Sequence, residues 1–488
     1  MARQAPARVF TIPPGAPFLT TFADALLAGR IVPGFPGDGD PLTLASATIY
    51  LPTRRAARAL AATLAERLPQ RTVLLPDIQP LGDLDAAELA LAGEAERAFA
   101  DAAAHLPPAL PPMERRLILT RLVLQWARAL DGAILPAEMH EPLLVPASPA
   151  DALALADDLA ALMDGLATED IPWSSLAGLV EERYSRYYGI TLDFVRIAAE
   201  MWPAILAERQ ASDPARRRSA LIDAAARRLA AVPPAGPVIV AGSTGSIPAT
   251  ARLIATIARL PQGAVVLPGL DTWLDDDTFA LIGAGGNDLT VHNHPQAMLA
   301  RLLATIGIPR SDVAVLGAPP PALTARARFL SEAMRPAETT DLWAEPAHRL
   351  PEADVRAAFE GLTLVEAADE REEALCAAIA LREALEDPQA TAALVTPDRA
   401  LAERVAAELA RWDIAAEDSA GLPLRRSPHG TLACLVAEAA ATNHEPAILA
   451  SLIAHPLTRF GWPQATMERA ARALEIGSKT VGIPMVDM

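Results

Sequence analysis

RVFTIPPGAPFL, residues 8–19, is the stretch on which the fold turns. RVFTI (8–12) reads as a short β-strand, and the prolines and glycine of PPGAPF force a loop. Leu19 to Ala28 is then expected to be a helix opened by Thr20 and Thr21. The same order recurs at once. ATIYL (47–51) reads as a buried strand, Pro52-Thr53-Arg54-Arg55 as its loop, and a helix is expected to about Leu68. TVLL (72–75) reads as a third strand. Strand–loop–helix units in series predict an α/β fold with a parallel sheet.

Further along, the pattern changes. From about Ala86 to Ala231 the chain is rich in Ala, Leu, Arg and Glu at helical spacing, with proline breaks near 107–112, 142–149 and 172. Strand signals return at PVIVA (237–241) and AVVL (264–267), with a helix from about Pro248 to Leu260 between them. A Pro-rich stretch at 318–321 suggests a linker. LTLVEA (362–367) and AALV (392–395) read as strands of a second α/β unit, each followed by a helix. ATIYLPTRRAARALAATLAERL (47–68) and ATAALVTPDRALAERVAAELARW (390–412) share one layout: strand, Thr/Pro loop, Arg, amphipathic helix. The expected division is 1–85 and 233–345 for a first α/β domain with its linker, 86–232 for a helical insertion within it, 346–426 for the start of a second α/β domain, and 427–488 for a truncated helical insertion of that domain.

Composition sets bounds. At 488 residues the chain is long enough for roughly two to four domains. Apolar residues make up 51% and aromatics 4%, so cores are expected to be aliphatic. A net charge of −18 argues against non-specific coating of nucleic acid, which is driven by phosphate neutralisation. Two cysteines, Cys376 and Cys434, without a CxxC, exclude a disulfide scaffold and any four-cysteine cluster in this chain. A reducing cytoplasm is the natural compartment. Prolines 13, 14 and 17 interrupt the one stretch that mimics a signal peptide. No run of apolar residues is long enough for a membrane span.

The loop after the first strand has the outline of a phosphate-binding loop without its chemistry. A working loop reads Gly-x-x-x-x-Gly-Lys-Ser/Thr, so that backbone N–H groups cradle phosphate, the Lys reaches the β/γ phosphates and the hydroxyl holds Mg²⁺. Here Gly15 matches the first glycine and Ala16 follows. Pro17 takes the place of the second glycine, and Phe18 and Leu19 fall on the Lys and hydroxyl positions. Proline has no N–H to offer and Phe cannot hold phosphate. A later strand should end in an acid for Mg²⁺. After Ala241 come Gly242, Ser243, Thr244, Gly245 and Ser246, with no carboxylate, and after Leu267 only the isolated Asp271. No catalytic residue is assigned.

Other clusters are weaker. Thr53, Arg54 and Arg55 lie at a strand's carboxyl end, where ligands of open α/β sheets bind, and Thr396 and Arg399 occupy the corresponding loop of the second unit. Such side chains suit DNA phosphates, although a solvated loop or salt bridges would use them too. Tyr184, Tyr187 and Tyr188 with Arg183 and Arg186 could stack bases or simply pack. His292 and His294 lack a third ligand nearby, so no metal is assigned. Glu366, Asp369, Glu370, Glu372 and Glu373 resemble a carboxylate cluster, but acids at a helix N-terminus explain them better.

Taken in order, RVFTIPPGAPFL, ATIYLPTRRAARAL, VIVAGSTGSIPATARLIA, VVLPGLD, VEAADEREEA and ALVTPDRALAERVAAEL resemble AddB, the B subunit of the AddAB helicase–nuclease, in its alphaproteobacterial form. The resemblance runs from about residue 8 to about 475. It implies two RecA-like domains of superfamily 1 helicase type with large helical insertions, in a subunit that has lost motor function and serves in end resection for double-strand break repair by homologous recombination. Gly15 to Leu19 then stand at the Walker A loop, Thr53 to Arg55 at a motif that contacts single-stranded DNA, Gly242 to Ser246 at the Walker B region, and Asp271 after the motif III strand. The implied partners are an AddA-type motor subunit and single- and double-stranded DNA, with no membrane. The family's nuclease domain, with its 4Fe-4S cluster and Mg²⁺, has no counterpart in this sequence, so no cofactor is expected in this chain, which on this reading is a fragment. The rival reading is a P-loop-type nucleotide hydrolase with an atypical loop.

Overall fold

The computed structural model describes residues 6–37, 41–68, 74–81, 105–131, 148–178, 194–284, 289–443 and 445–481. The chain divides into two units, Met1–Leu362 and Thr363–Met488.

The first unit is built on a six-stranded, all-parallel sheet. Its strands are β1 (Val9–Ile12), β2 (Thr48–Leu51), β3 (Asp77–Pro80), β4 (Val238–Ala241), β5 (Gly263–Pro268) and β6 (Ala314–Val315), in the spatial order β3-β2-β4-β5-β1-β6. The two central strands, β4 and β5, carry no polar side chain because both faces are covered. Alternation decides which face each residue serves. Val9, Val240 and Val265 point into one core, packed by α6 (Pro214–Ala231), α7 (Pro248–Ala258) and α9 (Ala297–Ile306). Ile12, Ile239 and Val266 point into the other, packed by α1 (Phe18–Leu27) and α2 (Arg54–Arg67).

The third strand lies further along than expected. TVLL does not form it: Leu74 and Leu75 precede the strand, and Thr72 and Val73 lie outside the described residues. Pairing with β2 sets the register, with Thr48 opposite Asp77 and Tyr50 opposite Gln79. This strand is at the sheet's edge, so polar residues are tolerated there.

α3 (Pro112–Asp131), α4 (Pro149–Thr168) and α5 (Trp202–Glu208) form a helical layer around Leu119, Val123, Leu159 and Trp202. Ser148 caps α4 in a reciprocal capping box with Asp151, which satisfies two N–H groups at the helix start. The side chain of Arg115 sits between Asp164 and Asp213, at 2.9 and 3.1 Å. α8 (Asp276–Ala284), α10 (Pro321–Ala333) and α11 (Glu352–Ala358) complete the unit.

In the second unit α12 (Glu370–Ala384) and α13 (Arg399–Ala410) pair through Ala374, Ala378, Val405 and Leu409. α14 (Pro428–Ala441), α15 (Pro446–Ala454) and α16 (Gln464–Val481) follow. The expected strands LTLVEA and AALV do not form a sheet: no strand occurs among this unit's described residues, and Leu364 and Val395 are 86% and 94% exposed. Their apolar pattern suits a strand, but a strand needs a ladder partner, and the described residues supply none. The acids around residue 370 behave as helix-start charges. Asp369 accepts N–H bonds from Arg371 and Glu372, and Glu372 reaches back to the N–H of Ala368.

Candidate functional site

The loops after β1, β2, β4, β5 and β6 all emerge at the sheet's carboxyl edge, since the strands are parallel. From β1 the chain leaves into α1 on one face. From β5 it leaves toward α9 on the other. That divergence opens a crevice between β1 and β5, the place where open α/β sheets bind ligands.

The β1 loop is packed on its inner side, although Pro14, Gly15 and Pro17 remain exposed. Gly15 adopts φ +86°, and a Cβ there would come within 2.8 Å of the Leu323 Cβ and 3.2 Å of the Pro319 Cβ. Ala16, Phe18 and Leu19 lie against the aliphatic core under α1. The Phe18 ring abuts Gly242 in the loop after β4, where a Cβ would stand 3.3 Å from the ring. Apolar side chains thus occupy the positions where a phosphate loop would present a cation and a hydroxyl. Helix α1 begins at Phe18 rather than Leu19, directly after Pro17 and with no side-chain cap. The Pro-rich stretch at 318–321 is part of this wall, not a linker.

Asp271 holds the next loop. Its Oδ1 accepts from the N–H groups of Trp273 (2.7 Å) and Leu274 (3.1 Å), its own N–H donates to Gln296 Oε1 (2.9 Å), and its carbonyl accepts from Arg310 (3.2 Å). Gln296 Nε2 donates to the Gly269 carbonyl, so one amide side chain clamps both ends of the turn. Thr11 ties this loop to β1, donating to the Leu267 carbonyl and accepting from the Leu270 N–H.

Between these loops and α10 lies a cavity of about 470 Å³. Pro13, Pro14, Trp273, Val315, Pro319, Leu330 and Met334 make it mainly apolar, with Asp271, His294 and Ser331 among its polar lining. Both nitrogens of His294 are engaged, Nε2 with the Met334 carbonyl (3.0 Å) and Nδ1 with the Gln296 N–H (3.1 Å). Burial pushes its pKa down, which outweighs the pull of the Met334 carbonyl and of Asp271. The imidazole is therefore neutral at pH 7. His292 instead pairs with Arg301. Among the described residues no group of three His, Cys, Asp or Glu side chains could hold a metal ion.

Behind the cavity, Arg335 is wholly enclosed. It pairs with Asp275 and Glu332, each at 2.7 Å, and donates to Thr278 at 2.9 Å. Burial alone would raise the Asp275 pKa, but the Thr278 N–H and the Arg335 guanidinium lower it to about 2.

Thr53, Arg54 and Arg55 sit on the same carboxyl edge, exposed, at the start of α2. Thr53 caps the helix by accepting from the Ala56 N–H at 3.1 Å. Two arginines in a first turn oppose the helix dipole, which makes that end strongly electropositive. The corresponding pair in the second unit is arranged differently. Arg399 forms a bidentate ion pair with Asp418 at 3.0 and 2.7 Å, and this bond holds the Asp418 pKa at about 2. Thr396 accepts from the Asp398 N–H, and Asp398, not Thr396, caps α13. The likeness between the two segments therefore holds for the helices but not for the residue that caps each. Tyr184, Tyr187, Tyr188, Arg183 and Arg186 lie outside the described residues.

Sequence reasoning singled out Asp271 but missed Trp273, Gln296, Ser331 and Met334, which come from three separated segments. The one available signal was the placement of Trp273 two residues after an acid at a strand's end. No family model matches the chain, and neither does any curated protein. Among the described residues no helix is long and apolar enough to cross a membrane.

Proposed function

We propose that this chain is the non-motor, helicase-like region of an AddB-type subunit: a RecA-like scaffold that holds DNA and a motor-bearing A-type partner during resection of double-strand breaks in the cytoplasm. One observation carries the reading. An all-parallel sheet with its loops at the carboxyl edge is compatible with a motor-derived fold, while the positions that match a phosphate loop in sequence are filled by packed apolar side chains. Loss of a motor leaves its scaffold useful, because the carboxyl edge still presents Thr53, Arg54 and Arg55 to solvent. Those residues suit phosphate contacts, while Phe18 and Pro17 do not.

Two measurements test this. The purified chain, with and without single-stranded DNA, should show no ATP hydrolysis above background; saturable turnover would sink the proposal in favour of a nucleotide hydrolase. In a complex reconstituted with the A-type partner, Arg54→Gln with Arg55→Gln should weaken single-stranded DNA binding. Keeping Thr53 preserves the helix cap, so the loss would report on phosphate contact and not on folding. Unchanged binding would remove these residues from the interface.

A further inference from the structure

The cavity between β1, β5 and α10 has chemistry that neither the phosphate loop nor the DNA-facing arginines explain. Its walls are largely apolar, and among the described residues no Lys or Arg lines it. Its one carboxylate is Asp271, whose Oδ1 is occupied by two loop N–H groups while Oδ2 remains to accept. His294 brings no charge, because both its nitrogens are bonded and burial disfavours its protonated form. The cations beside the lining are already engaged, Arg328 with the Trp273 ring and Asp354 and Arg310 with the Asp271 carbonyl and Asp276, so an anion would enter against a carboxylate without a spare cation to receive it.

Two further features define what does fit. Ser331 lines the cavity at 6% exposure, and its buried hydroxyl has no hydrogen-bond partner. A buried unpartnered hydroxyl is uncommon and calls for an explanation, and a ligand that supplies its partner is one. Trp273 lines the cavity and is 47% exposed; the Arg328 guanidinium packs over one face of its ring, 5.7 Å from the centroid, and the opposite face is where another ring would stack. Aromatic faces stack planar heterocycles of any kind. The volume is within the range of small-molecule sites. Its position, at the crevice where the chain departs from β1 and β5 to opposite faces, is the usual one for ligands in this type of sheet.

We propose that this cavity binds a neutral, planar heterocycle bearing an amino or ring N–H group, namely the base of a nucleoside, without any phosphate contact. The N–H group donates to Asp271 Oδ2, the ring stacks on Trp273, and Ser331 supplies a further hydrogen bond. This goes beyond the DNA-scaffold reading, because the ligand enters by its base and the site lies away from Thr53–Arg55.

The test is calorimetric titration of the full chain with adenosine, guanosine and ATP. Saturable one-to-one binding of a nucleoside is expected, with ATP no tighter than adenosine. Trp273→Ala should weaken binding about tenfold or more through lost stacking. Asp271→Asn keeps the loop's acceptor and should also weaken it, while circular dichroism confirms that both variants remain folded. Absence of saturable nucleoside binding at millimolar concentration would overturn the proposal. So would ATP binding at least tenfold tighter than adenosine, or unaltered affinity in both variants. Failure here leaves the DNA-scaffold reading standing, since that reading is tested through Arg54 and Arg55.

Discussion

Phe18 is the residue whose replacement tests most directly why the β1 loop is closed. Its ring is half-buried, packed on the core beneath α1 and against the backbone of Gly242. Truncating a fully buried Phe to Ala costs about 3–5 kcal/mol, through lost transfer energy and an unfilled void. Half that burial puts Phe18→Ala at about 2 kcal/mol. Larger domains shift by about 2–4 °C per kcal/mol, and the 362-residue unit falls at the low end, so the melting temperature should drop about 4 °C. Urea unfolding followed by circular dichroism gives the free energy, and a parallel thermal melt gives the shift. In the same variant ATP should still not bind, because Pro17 offers no N–H and no cation is present. A destabilisation below about 0.5 kcal/mol, the size of an ordinary surface change, would refute the packed-loop reasoning. So would nucleotide binding gained on removal of the ring, since it would mean the phosphate site is intact beneath it.

Gly15→Ala should destabilise the unit more than a typical Gly→Ala change, by about 1–3 kcal/mol, because φ +86° and a 2.8 Å approach to the Leu323 Cβ both oppose a side chain; thermal melting checks it. Arg335→Met should cost about 3–5 kcal/mol by leaving Asp275 and Glu332 unpaired, as read from urea unfolding. Since the Asp275 pKa is lowered in the folded state, the unfolded chain takes up its proton first as pH falls. Its stabilisation is therefore complete above about pH 4 and is lost toward pH 2, and Arg335→Met should flatten that part of the stability curve. For single-stranded DNA, loss of the two contacts from Arg54 and Arg55 should reduce the slope of log affinity against log salt by about 1.4, measured by anisotropy in a salt series.

The fold's centre was legible because its strands are buried on both faces. TIYL, VIVA and AVVL are short, nearly continuous apolar runs bounded by loop residues, the pattern of strands buried on both faces. Legibility failed where burial was one-sided or partners were remote. β3 reads DIQP because an edge strand needs pairing more than hydrophobicity, and β6 is only two residues long. LTLVEA and AALV have the composition of strands, yet composition cannot supply a neighbour. At the site, the defects of the β1 loop could be read from Pro17, Phe18 and Leu19 alone. What fills the space could not, since Leu323, Pro319 and Gly242 reach it only through the tertiary fold. Arg399 reads from sequence as a loop arginine open to phosphate, yet Asp418, 19 residues further on, pairs with it. A charge's availability depends on a neighbour that sequence order does not reveal.

The position of β1 inside the sheet has a consequence for synthesis. Its ladder partner on one side is β5, with 256 residues separating Thr11 from the Leu267 carbonyl to which it donates. On the other side it pairs with β6, further still along the chain. At 5–20 residues per second, the first strand waits roughly 15–60 s before both its neighbours leave the ribosome. Throughout that interval VFTI and the apolar face of α1 lack the central strands against which they pack. The nascent chain therefore has a long period in which these apolar segments are without their pairing strands, and moving residues 6–37 behind β6 by circular permutation would shorten it.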